Sequence, residues 1–185
     1  AERTLNLVTT IPYAILAARH ARAARTPERR LYAASLGAVT AACTAFHATS
    51  GAAKEWARRA DVWSIAAAAT ALTRLVHPKA DAQHLTHVAV ALTPVQPFAV
   101  IAAHALTAEV DFARAAKHDP ALRGAWRSHV AATSVGLAAW AAEDADPLLP
   151  FCHCAWHVLS AVGMGCTEPF IAAAEDKLLR ARGQL

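Results

Sequence analysis

Long apolar runs alternate with short charged ones along this chain. The apolar stretches are Leu5–Ala18, Leu31–Thr49, Asp61–Val76, His84–Val95, Pro97–Val110, Ser128–Ala142 and Leu148–Ala174. A soluble amphipathic helix places a charge every few residues on its outer face. Leu31–Thr49 and Ile65–Leu72 contain no Asp, Glu, Lys or Arg. The pattern therefore predicts an all-α membrane protein, with residues 1–185 forming a single seven-helix transmembrane domain. An Ala-rich soluble helix bundle is the alternative. Several stretches are shorter than the ~20 residues a span needs, so their helices are expected to extend into the flanks. The segment Thr93-Pro94-Val95-Gln96-Pro97 reads either as a turn between the fourth and fifth spans or as a kink in one long helix. The kink would leave six spans.

Charge placement favours seven spans. With the N-terminus outside and the C-terminus inside, fourteen of the eighteen Lys and Arg residues fall on the inner side, Lys79 among them. The outer side keeps Arg3, Lys54, Arg58 and Arg59. This is the asymmetry that orients membrane proteins. The last outer loop, Glu143-Asp144-Ala145-Asp146, is acidic, and Trp63, Trp140 and Trp156 fall near the outer boundary. The net charge of +4 follows from loop topology. No basic stripe with interleaved aromatics and no phosphate-cradling glycine loop points to nucleic acid. The basic run from His20 to Arg30 reads as an orientation signal, with lipid headgroup contact second. The four cysteines give no disulfide framework, and the sequence shows no cleavable signal peptide pattern.

The candidate chemistry begins at Cys152-His153-Cys154-Ala155-Trp156-His157. His153 and His157 are four residues apart, so a helix presents both imidazoles on one face, as two ligands of one metal require. Seven spans put His47, Asp61, His153 and His157 at one depth near the outer face; six would send the last two to the opposite leaflet. A metal held by His47, His153 and His157 would keep a position open for water or substrate. An isolated pair would read more simply as interfacial histidines, and Asp61 alone as a helix N-cap. Ionisable groups at membrane depth are costly and usually functional, which tips the reading towards a metal. Cys152 and Cys154 flank His153 but diverge around the helix, which disfavours a Cys-His-Cys chelate. His84 and His87 sit on the inner side, His104 reads as a buried neutral imidazole, and His20, His77, His118 and His129 read as loop or boundary residues. Ser160, Gly163 and Gly165 read as small residues at a helix contact.

These residues resemble the CREST superfamily of seven-span membrane proteins. It includes alkaline ceramidases, the progestin and adipoQ receptors, and the transmembrane protein 8 and myomaker group. Ala45-Phe46-His47-Ala48-Thr49 is similar to the family's first histidine motif, Ala60-Asp61-Val62-Trp63-Ser64 to its aspartate motif, and Cys154-Ala155-Trp156-His157-Val158-Leu159 to the second half of its histidine pair. The wording around Asp61 and Trp156 is most similar to the transmembrane protein 8 and myomaker branch. The resemblance implies Zn2+ on His47, His153 and His157, with Asp61 and Cys43 as catalytic residues. Cys43 stands where the family has serine, and a thiol can ligate zinc as thiolate. The leading expectation is a zinc-dependent hydrolase cleaving an amide or ester bond of a ceramide-like lipid or phospholipid. The alternative is a non-enzymatic, myomaker-like membrane-remodelling or receptor protein with a structural zinc. Either would be a multi-pass protein of the plasma membrane or endomembranes, with its metal towards the non-cytoplasmic face.

Overall fold

The computed structural model describes residues 2–77, 80–146 and 149–185, with side chains in the fifth helix described from His84 onward. Lys79 and Leu148, the expected start of the last stretch, lie outside the described residues. The chain is all-helical, with no strand among the described residues. In order the helices are α1 (Glu2–Val8), α2 (Ile11–Ala23), α3 (Pro27–Ala48), α4 (Gly51–Val76), α5 (Ala80–Leu92), α6 (Pro97–His118), α7 (Arg123–Ala145), α8 (Cys152–Cys166) and α9 (Glu168–Ala181).

Local chemistry sets these boundaries. Thr26 is extended at φ −120° and ψ 154°, and its hydroxyl accepts the Arg29 N–H, with Pro27 and Glu28 opening α3. Proline likewise stands in the first turns of α2, α6 and α9. The residues Thr93 to Gln96 form a turn separating α5 from α6, so no single long helix runs through the two prolines. Two apolar stretches are divided where none was expected. Leu5–Ala18 breaks at Thr9 and Thr10 ahead of Pro12, and Leu148–Ala174 breaks at Thr167 ahead of Pro169. The α4 helix starts at Gly51, so Asp61 lies inside it and is not a helix N-cap; Ser50 occupies that position. The run Lys54 to Arg59, expected as a loop, is helical because nothing in it opposes α-geometry.

The α3 helix packs along α4 and α2, α7 along α8, and α4 along α6. Tyr13, Tyr32, Leu36, Val39, Leu75 and Ile171 fill the main core. A second cluster joins Ala108, Phe112 and Ala116 to Phe170. Alongside these, His20, Arg29, His104, His129, His157 and Glu175 are buried, while Ile11, Ile15, Val90, Phe98, Leu106, Val135 and Val162 are exposed. Among the described residues, only α3 is both long and apolar enough to cross a membrane by length and composition. The helices α1, α2, α5, α8 and α9 are too short, and the longer α4, α6 and α7 carry clusters of Asp, Glu, Lys and Arg towards their ends.

Of the remaining histidines, His20, His104 and His129 are buried and His77 stands at a helix end. His129 is buried within α7, where its two ring nitrogens meet the Gly163 carbonyl at 2.8 Å and the Glu109 carboxylate. His20 is buried in α2 beside Glu168. Neither is a loop residue. His77 closes α4 and pairs with Asp111 at 2.6 Å. His104 is buried, as expected, but its Nδ1 has no hydrogen-bond partner. Gly163 is a contact glycine: a Cβ there would meet Thr133 Oγ1 at 2.5 Å.

Candidate metal centre

The last turns of α3 and the first turns of α8 converge at one end of the bundle. The α3 helix brings Cys43 and His47, four residues apart and so on one face. The α8 helix brings His153 and His157 by the same spacing. Cys43, His47 and His157 form a group whose donor atoms all lie within 4.8 Å of one another, a set able to hold a metal ion. Cys43 Sγ is 3.5 Å from His157 Nε2. His153, expected as a third histidine ligand, lies outside this group and touches its edge, with its Nε2 3.2 Å from His47 Nε2. Ring centroids of His153 and His157 are 4.5 Å apart, and those of His47 lie 4.9 and 5.2 Å from them.

Hydrogen bonds fix which nitrogens carry protons. His153 Nδ1 is 2.9 Å from Glu143 Oε2. A carboxylate only accepts, so Nδ1 carries the hydrogen and Nε2 presents a lone pair. Thr9 Oγ1 donates to the Asn6 carbonyl at 3.1 Å. Its oxygen therefore accepts from His157 Nδ1, 3.0 Å away, and His157 Nε2 is also left bare. Both α8 histidines thus turn basic nitrogens towards α3. This carboxylate- or hydroxyl-backed imidazole is the arrangement found behind metal-ligating histidines.

Asp61 lies on α4 within electrostatic reach of Cys43, Tyr13 and His153. Its Oδ1 is buried without a hydrogen-bond partner among the described residues. An orphaned buried acceptor beside converging lone pairs is costly without a cation, so the residues present fit a metal. The donor set of imidazole and thiol is of the kind transition metals take. Cys154 does not join it: its thiol donates to Asn6 Oδ1 at 2.8 Å. All four cysteines are free. Thr44 points away, with Oγ1 3.1 Å from Thr10 Oγ1. A groove of about 450 Å³ lies between α3, α4 and α5, lined by Leu31, Trp63, Thr70 and Val90 among others, and not by the histidines. Trp63 is two residues past Asp61, which places it on the opposite side of α4.

The sequence brought forward His47, His153, His157, Cys43 and Asp61; the fold groups Cys43, His47 and His157, sets His153 against His47, and leaves Asp61 nearby on α4. It did not bring forward Thr9, Asn6 or Glu143. Glu143 read as one charge of an acidic loop, yet it belongs to the last turn of α7 and faces His153. Compared with known proteins, the chain matches no protein family, no curated protein and no solved structure.

Proposed function

We propose that this chain is a multi-pass membrane protein in which a zinc ion staples α3 to α8, and that its role is non-enzymatic, in membrane remodelling or as a receptor. The resemblance to the CREST superfamily, on its transmembrane protein 8 and myomaker side, points the same way. The membrane reading is supported by the inverted surface: Ile11, Val90, Phe98, Leu106 and Val162 face outward while Arg29, Glu175 and His129 are buried. It is also supported by the charge asymmetry of the loops. Cysteine labelling should reach Ala145→Cys and Gly183→Cys from opposite sides of a vesicle. Labelling of both from one side would exclude the seven-span arrangement.

The observation that carries the non-enzymatic reading is the Cys43 thiol, 3.5 Å from His157 Nε2. With His47 and His157 it makes three protein donors within reach of one another, and His153, beside His47, would supply the fourth. Structural zinc sites are closed by four protein ligands, whereas catalytic ones keep a position open. Cys43 would give up its proton on binding, and the ion would join two helices that otherwise meet through neutral contacts.

A second reading, hydrolysis of a lipid amide or ester, is favoured by the unpartnered Asp61 Oδ1. Zinc, when bound, polarises a carbonyl and acidifies water. Asp61 would then hold or accept a proton beside the cluster, and Cys43 would lie outside the ligand set. One experiment separates the two. Purified wild type should hold about one zinc per chain, as a mononuclear site does. His157→Ala should remove it under either reading. In the closed site Cys43→Ser weakens zinc binding, and no ceramide or phospholipid is turned over. In the hydrolytic site Cys43→Ser keeps zinc and activity, while Asp61→Asn keeps zinc and abolishes activity. Unchanged zinc in His157→Ala would sink both.

A further inference from the structure

The helix α1 and the turn after it carry Arg3, Asn6 and Thr9 at successive intervals of three, which sets them along one face. Each of the three touches a helix of the metal cluster. Arg3 Nε donates to the His47 carbonyl at 2.8 Å, and its Nη2 to the Ala48 carbonyl. These carbonyls belong to the last turn of α3, which has no helical donors left for them. Asn6 Oδ1 accepts from the Cys154 thiol of α8 at 2.8 Å. Thr9 Oγ1 meets His157 Nδ1 at 3.0 Å.

We infer that α1 is a strap across the metal cluster and that Thr9 is a positioning residue, fixing the His157 tautomer that leaves Nε2 free to ligate. The hydroxyl hydrogen of Thr9 is committed to the Asn6 carbonyl at 3.1 Å. Only lone pairs therefore face the imidazole, and the ring hydrogen is drawn to Nδ1. Were it on Nε2, it would point at Cys43 Sγ, 3.5 Å away, and block the metal. Arg3 and Asn6 keep the strap in register on both ligand helices, so Thr9 holds its angle as well as its chemistry. Hydroxyl and carboxylate partners behind metal-bound imidazoles act in this way generally. The proposed zinc site underlies this inference, and the test is arranged so that the two can fail separately.

The full chain in detergent is compared as wild type, Thr9→Ser and Thr9→Val. Zinc affinity is read by competition with a chelator, and the His157 ring by 15N NMR of metal-free protein. The metal-free wild type should show the hydrogen on Nδ1. Thr9→Val should shift the ring towards a mixture of tautomers and weaken zinc by about 10–100-fold. Thr9→Ser, which restores the acceptor, should recover both. A merely structural Thr9 would leave the tautomer unmoved. A wild-type ring protonated on Nε2, or zinc affinity and 15N shifts unchanged in Thr9→Val, overturns the inference even if zinc binds. Wild type that holds Nδ1–H but takes up no zinc removes the metal site and leaves the tautomer assignment standing. The wild-type spectrum decides the matter should Thr9→Val fail to fold.

Discussion

At one end of α3, Arg29 enters a knot of opposite charges; at the other, about 27 Å away at 1.5 Å per residue, His47 enters a knot of like donors. Around Arg29 the pairing is dense. Glu175 is fully buried, and its Oε1 accepts from the Arg25 N–H at 2.7 Å, the Thr26 N–H at 2.8 Å and the Thr26 hydroxyl at 3.1 Å. Its Oε2 accepts from Arg29 Nη1 at 2.9 Å. Glu168 takes the other arm of Arg29, and Arg182 pairs with Glu28 at 2.6 Å. Around His47, two bare imidazole nitrogens, a thiol and an unpartnered carboxyl oxygen face one another. Both ends bury polar groups, and the difference lies in whether the chain itself supplies the complementary charge. At the Arg29 end the charges are paired by the chain itself, although Arg29 Nε has no hydrogen-bond partner among the described residues, and the pairing fastens α9 to the loop between α2 and α3. The His47 end could be completed by an ion from outside, as the proposed metal site requires.

The largest effect expected from this contrast is at Glu175. Glu175→Ala leaves Arg29 buried beside one carboxylate and two unpaired amides. It should lower unfolding stability by about 3–5 kcal/mol, the usual cost of breaking a buried pair. Zinc bound per folded chain should stay as in wild type. Replacing both partners, Arg29→Met with Glu175→Leu, should recover much of the loss, because no charge is then stranded. Thermal unfolding in detergent, with zinc analysis of the folded fraction, checks both. Loss of zinc in Glu175→Ala protein that remains folded would mean that the two ends of α3 are coupled and do not act independently.

The asymmetry was half legible in the sequence. The histidine spacing on α8 and the four-residue step from Cys43 to His47 are local facts of helix geometry, so the cluster could be read before the fold. The all-helical class and the α5–α6 turn were legible for the same reason, since apolar runs and prolines act locally. Glu175 was invisible because its partners lie at Arg25, Thr26 and Arg29, about 150 positions earlier. Periodicity tells which face of a helix is apolar and not which distant cation meets a given carboxylate. The break at Thr9 and Thr10 was hidden inside an apolar run because it costs no apolar residue. Its worth appears only when His157 packs over it.

A smaller effect is expected behind His153. Glu143 accepts its Nδ1–H at 2.9 Å, and both side chains are only partly buried. Glu143→Ala should weaken zinc by about 10–100-fold without removing a ligand. Glu143→Gln should weaken it less, because the amide oxygen still accepts. Chelator competition distinguishes them. Equal affinity in wild type and Glu143→Ala would show that His153 is held by packing alone, and would bring the two ends closer in kind than proposed.

The finest test is acidification of the metal-free protein, and its sign follows from Glu175. This residue lies beyond the last predicted apolar stretch, which ends at Ala174. Burial alone would push its carboxyl up. The Arg29 guanidinium, with the amides of Arg25 and Thr26 and the Thr26 hydroxyl, outweighs burial and holds it below the usual carboxylate range. A carboxyl lowered on folding binds protons more readily in the unfolded chain. Its contribution is therefore full above the unfolded value of about 4.3 and is lost as pH falls through the lower, folded value. Thermal unfolding of chelated wild type, followed from about pH 6 to about pH 3, should show stability falling over that window. Glu175→Gln should start lower and decline less, so that the two curves approach each other in acid. Parallel curves would show that acid sensitivity arises elsewhere, and that the Arg29 knot is held by shape and amide hydrogen bonds more than by its charge.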